Sequence, residues 1–261
     1  MKSASDERKN LIKTLEKQQH SKKKGKQSLF ARLLSILTVI LAVALFLLGE
    51  GSEYFAGMTG SDIRYDSIPE YSGEPYITIN QNMPDFDLEK IDVKENFEEY
   101  SELDQLGRCG VAFANLCKEL MPTQKRGSIS KITPSGWNNQ KYDNISQKYL
   151  YNRCHLIGFQ LAGENANEKN LITGTSYFNV TGMLPFENQV KDYIEETNHH
   201  VLYRVTPIYE GDNLVANGVA IEAWSVEDEG EGICFHVFVY NVQPGIGIDY
   251  SDGSSWSLSE K

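Results

Sequence analysis

The last third of the chain leaves little choice of fold. Residues 201–209, 214–226 and 233–242 are rich in β-branched and aromatic residues, and Glu210-Gly-Asp-Asn213 and Glu227-Asp-Glu-Gly-Glu-Gly232 separate them. Strands joined by breaks this short pair antiparallel, because a parallel pair needs a crossover of a dozen residues or more. The stretch therefore reads as a meander whose strands alternate core and solvent faces.

Upstream of the meander, Pro185 suits the first turn of a helix running through Glu187, Val190, Tyr193 and Ile194 to Thr197. Sheet plus helix predicts an α+β domain. Residues 76–80 alternate like a first strand, and 148–152 read as a short one. Residues 97–121 admit strand or helix, because Gly107 and Gly110 interrupt the pattern. Residues 125–143, with Thr133-Pro-Ser-Gly136, read as surface loop. Gly182 and Pro185 argue against one unbroken helix from Asn179 to Glu187.

Residues 29–48 impose a second constraint. They are twenty residues with Arg32 as the only charge, close to the ~20 that span a bilayer's hydrocarbon core, and read as a transmembrane helix. Residues 1–32 hold ten Lys/Arg against three Asp/Glu, a net of +7. Fifteen basic and thirty-three acidic residues remain for 33–261, a net of −18. Lys22, Lys23, Lys24 and Lys26 precede the apolar run while Glu50 and Glu53 follow it, so the positive-inside rule puts residues 1–28 in the cytoplasm. The expectation is a single-pass protein of the cell membrane with its acidic bulk extracellular. A cleaved signal peptide would give a secreted chain instead, although Gly49-Glu-Gly-Ser52 is a poor cleavage site. Residues 49–75 read as linker, 76–250 as the folded domain and 251–261 as a polar tail. Cys109, Cys117, Cys154 and Cys234 lack CxxC pairs and are expected as buried free thiols.

Chemistry concentrates around Tyr149-Leu-Tyr-Asn-Arg-Cys-His155, followed by Asn170, Asn179 and Glu187. Asn152-Arg-Cys-His155 resembles the Asp-Arg-Gly-His motif of the DNA/RNA non-specific endonucleases, the ββα-metal or His-Me finger nucleases. Asn152 stands for Asp and Cys154 for Gly, a form shared with the streptococcal DNase branch. The resemblance extends over residues 76–250, and Leu103-Asp-Gln-Leu-Gly-Arg108 resembles the start of that family's central sheet.

The resemblance implies a central antiparallel sheet bearing a ββα-metal site that hydrolyses DNA and RNA without sequence specificity. It implies His155 as general base, suited because a neutral imidazole accepts a proton near pH 7. Asn179 would hold one Mg2+, with Mn2+ as a substitute, and Glu187 would order the ion's waters. Arg153 would hold a phosphate oxygen. Asn170, Lys191, Arg108 and Arg204 are expected to contact substrate. Cys154 is expected to pack, since metal-assisted phosphodiester cleavage needs no thiol. A domain at −18 repels DNA over long range, so affinity should come from the metal and a local basic cleft. Family analogy suggests DNA uptake, scavenging or destruction of extracellular DNA as settings, with uptake machinery as a partner and the bilayer engaged through residues 29–48. The rival readings are a catalytically silent nucleic-acid receptor on the same fold and a membrane-tethered interaction module.

Overall fold

A computed structural model describes residues 68–258; the basic tail, the apolar run and most of the linker lie outside the described residues. In chain order the strands are β1 (Tyr76–Thr78), β2 (Phe97–Tyr100), β3 (Ala112–Leu116), β4 (Tyr151–His155), β5 (Leu171–Thr175), β6 (Val201–Ile208), β7 (Gly218–Ser225), β8 (Cys234–Tyr240), β9 (Ile246–Ile248) and β10 (Ser255–Ser257). A short helix α1 (Phe159–Ala162) follows β4. A wide helical turn (Phe178–Met183) leads into α2 (Leu184–Thr197) after β5.

The meander forms as the sequence requires: β6, β7 and β8 pair antiparallel at the heart of a six-stranded sheet ordered β1-β8-β7-β6-β3-β2. Alternation sorts its residues between two faces. Val205, Val219, Ile221, Val237 and Val239 join the main core with Val190 and Ile194 of α2. Val190 and Ile194 are fully buried, each contributing roughly 1.5–3 kcal/mol relative to exposure. On the opposite face Phe113 and Leu202 pack against Phe86, Ile91 and Val93, which belong to a strap running from β1 to β2. The strap begins with Asn80, Gln81 and Asn82 at φ 48, 55 and 63, three successive non-glycine residues in the left-handed region.

Three local readings change. Residues 97–121 are two strands, β2 and β3, paired antiparallel. Residues 103–108, expected to begin the sheet, make a tight turn instead: the Gly107 N–H bonds the Asp104 carbonyl at 2.9 Å, with Gly107 at φ +73. The strand expected at 148–152 is β4 and starts later, because Lys148 sits at φ 64. At the edges, residues 68–75 already pack on the body: the Tyr240 hydroxyl donates to the Pro69 carbonyl at 2.8 Å, and Tyr71 meets the Tyr240 ring edge-on. The tail contributes β10, paired with β9. All four cysteines are free, three of them buried and Cys234 partly exposed. Among the described residues no helix is long and apolar enough to cross a membrane.

Candidate active site

β4 and β5 form a separate antiparallel pair in which Arg153 faces Thr173 and His155 faces Leu171. A strand's period of two puts Arg153 and His155 on one side and Cys154 on the other. Cys154 is fully buried, and burial pushes its thiol far above the ordinary range, so it packs and does not react. The wide turn and α2 follow directly, completing a strand-strand-helix finger on the inner face of the sheet.

His155 is 6% exposed and both ring nitrogens are engaged. The Asn165 carbonyl, 2.8 Å from Nε2, can only accept, so Nε2 carries the proton. Nδ1 therefore presents a bare lone pair, and it accepts from an Arg126 guanidinium nitrogen at 3.2 Å. Burial holds the imidazole pKa below 6.5; the Asn165 bond opposes this and Arg126 adds to it. A neutral ring with a fixed tautomer and one exchangeable partner on its basic nitrogen is what a general base requires.

The helical run from Asn179 to Glu187 does not break at Gly182 and Pro185, as the sequence suggested; it changes pitch. The Leu184 N–H bonds the Asn179 carbonyl, five residues back. In a regular α-helix, residues eight apart point about 80° from each other. A wider turn winds less per residue and rotates Asn179 back toward the side of Glu187. Gly182 permits this, because a Cβ there would lie 2.4 Å from Val239 Cγ1 of β8. Gly158, just past β4, does the same for the carboxylate: a Cβ there would lie 2.4 Å from Glu187 Oε2.

These groups suit a hydrated divalent cation. Glu187 is 9% exposed, and its one hydrogen-bond partner among the described residues is the neutral Gln160 amide at 3.4 Å. Burial raises its pKa to about 7, against the pull of Arg126 and Gln160. The Tyr203 hydroxyl on the same side of the sheet is buried without a partner. A cation and its waters would answer both deficits. Asn179 is half-buried and lines a cleft of about 680 Å3 with Arg126, Asn152 and Arg153, offering an amide oxygen there. Asn179 and Glu187 both present oxygen donors; among the described residues no three His, Cys, Asp or Glu converge on a metal position.

Arg153 reaches the same cleft, anchored by Nε on the Ile132 carbonyl with its guanidinium 4.2 Å from the Trp137 ring centroid. The remaining expected contacts sit elsewhere. Asn170 is wholly buried, and its amide clamps the backbone of Ile157, accepting at 2.9 Å and donating at 3.0 Å; it ties β5 to the end of β4. Lys191 pairs with Glu195 at 2.6 Å on the surface of α2. Arg108 is spent on Asp104, the Gly211 and Asn213 carbonyls and the Tyr209 ring. Arg204, 1% exposed, lies on the far face of the sheet with Glu222 at 2.6 Å. Arg126 is the residue that sequence reasoning missed. It belongs to the segment read as surface loop, and its one signal was the Lys125-Arg126 pair, the sole charges between Glu119 and Lys131.

Comparison with known proteins bears on the family and the fold. A family model described as DNA/RNA non-specific endonuclease matches residues 89–227. A curated deoxyribonuclease of Streptococcus dysgalactiae subsp. equisimilis is 32% identical over 111 residues, which are 40% of this chain and 32% of that one. The match thus spans about a third of that relative's length. In fold the chain is similar to NucA from Streptococcus agalactiae solved with magnesium bound (TM-score 0.64, 22% identity, 80% of this chain and 96% of that one). It is also similar to the Sda1 nuclease solved with zinc (TM-score 0.60, 26% identity, 72% of this chain and all of that one).

Proposed function

The chain belongs to the DNA/RNA non-specific endonuclease family, and from that premise we propose that it cuts DNA and RNA within the strand, using His155 as general base and a single Mg2+. The observation that carries this is the fixed tautomer of His155, which leaves Nδ1 free to take a proton from water once its Arg126 partner moves. Arg126 is held there by one hydrogen bond. An incoming phosphate competes for the same guanidinium, so substrate binding itself would uncover the base.

Asn179 would hold a divalent cation through its amide oxygen and Glu187 would order the ion's waters; the chemistry it would supply is Lewis-acid stabilisation of the departing oxygen. Arg153 stays fixed by Ile132 and Trp137 and neutralises a non-bridging oxygen as charge builds. The oxygen donor set favours Mg2+, with Mn2+ as a substitute, over the zinc named for the Sda1 structure, since zinc sites draw on clustered His and Cys. The protein is further proposed to be tethered through residues 29–48 with this domain outside the cell; the charge asymmetry of the sequence supports that reading. Protease shaving of intact cells should then release a nuclease, and full protection would reverse the topology.

The direct test is a plasmid-nicking and RNA-cleavage assay of the full chain with Mg2+ and with EDTA. Metal-dependent nicking abolished by His155→Ala is expected. An inactive parent, or a variant with near-parental rate, would overturn the assignment in favour of a silent receptor.

A further inference from the structure

Beside the groups that would handle phosphate, the cleft carries an aromatic ring that the hydrolytic chemistry does not use. Tyr149 is 46% exposed and lines the same cleft as Arg126, Arg153 and Asn179. Its neighbours Leu150 and Tyr151 are 0% and 1% exposed, and Tyr149 lies ahead of the first residue of β4, so strand alternation does not account for an aromatic ring standing in solvent there. Lys148, at φ 64, closes a turn with its N–H on the Ile145 carbonyl at 2.8 Å and its carbonyl on the Tyr142 N–H at 2.8 Å. That strained corner fixes the direction in which the ring projects. The Lys141 ammonium lies 5.0 Å from the ring centroid, and the two residues are bridged through their backbones.

Of the two other aromatics of the cleft, Tyr151 is 1% exposed and Trp137 carries the Arg153 guanidinium on its ring. Tyr149, 46% exposed, is the most open of the three, with the Lys141 ammonium over its ring. An open ring next to a cation, a few residues from a strand that delivers phosphate-binding groups, matches how proteins hold unpaired nucleotides: the base stacks on the ring and the cation meets the backbone. We propose that Tyr149 with Lys141 forms a stacking subsite for an unpaired base flanking the scissile phosphate, which makes single-stranded or locally opened nucleic acid the preferred substrate. A duplex keeps its bases stacked on each other and offers none to the ring unless it first pays for unstacking. This inference rests on the nuclease reading above, and its test is arranged to fail separately from it.

Binding of fluorescent oligonucleotides to the full chain is measured in EDTA, where no cleavage occurs, for the parent, Tyr149→Ala, Tyr149→Phe and Lys141→Ala. Tyr149→Ala should weaken single-strand binding by about tenfold and duplex binding by less than twofold. Tyr149→Phe, which keeps the ring, should bind like the parent. Lys141→Ala should flatten the salt dependence of single-strand binding. A single strand made abasic along its length should bind parent and Tyr149→Ala equally. Equal losses on single strand and duplex, or a Phe variant as weak as Ala, would overturn the subsite whether or not the chain cuts. Absence of Mg2+-dependent cleavage by the parent would strike the nuclease reading alone.

Discussion

Two clusters of buried charge lie on opposite faces of one sheet, and they are completed to different degrees. On the far face Arg204 gives Nε to Glu222 at 2.6 Å and another nitrogen to the Asp85 carbonyl at 2.7 Å, while the Asp85 N–H fills the other Glu222 oxygen at 2.8 Å. His236 adds Nδ1 to the Met83 carbonyl at 3.1 Å, and its Nε2 is the one loose end. On the near face Glu187 has a single distant amide, and the basic nitrogen of His155 meets one exposed guanidinium at 3.2 Å. Saturated charge holds a fold together; charge left short of partners is available to a ligand. An arginine, a glutamate and a histidine stand on each face, and they divide between structure and chemistry on that criterion, the near-face arginine being exposed and Arg204 buried.

The contrast can be broken in several places. His155→Ala should lower the nicking rate about 10²–10⁴-fold with little change in thermal midpoint; a comparable loss of stability would mean that the ring is structural. Glu222→Ala should do the opposite, costing about 3–5 kcal/mol in a denaturant titration because the buried Arg204 charge loses its carboxylate, while any protein that still folds keeps its turnover.

For Glu187 the sign follows from its raised pKa. The folded state binds a proton that the unfolded state has released between pH 4.5 and about 7. Without metal, stability should therefore fall as pH rises through that window, by roughly 3 kcal/mol at most. Glu187→Gln should remove the slope, and added Mg2+ should stabilise the parent more at pH 7 than at pH 5. A flat parental profile would show that the carboxyl is already neutralised. Gly158→Ala should cost about 1–3 kcal/mol and reduce turnover, since its methyl and the Glu187 carboxylate need the same space. The smallest effect concerns the acid limb of the pH–rate profile, which should lie below pH 6.5 in the parent. Arg126→Ala should move it upward, because a cation that disfavours the imidazolium is gone; an unmoved limb would dissociate Arg126 from the base.

The sequence made the meander legible because alternation is a local signal, and Pro185 marked α2 for the same reason. The motif singled out His155, Arg153, Asn179 and Glu187, and the finger carries all four. What escaped depends on contacts between distant segments. Arg108 and Arg204 read as substrate cations because charge usually means surface, and only the pairing of β6 with β7 and the turn at Asp104 show that their charges are consumed. Asn170 has the composition of a recognition residue, but its amide mimics a strand partner for Ile157. Arg126 is exposed as its segment's turn residues implied, and what escaped was its contact with His155, 29 residues away. The wide turn after β5 was also hidden, since Gly182 and Pro185 signal a stop when read one at a time.

The strap over the far face has a consequence for assembly. Three left-handed residues at its start cost roughly 1–2 kcal/mol each, so Asn80, Gln81 and Asn82 hold that shape only when docking rewards it. Asp85, which completes the Glu222 carboxylate, arrives with the strap. Closure should therefore be a late event in folding, after the sheet has formed, and a protease nick between residues 79 and 95 should let water onto an ion pair that was built to stay dry.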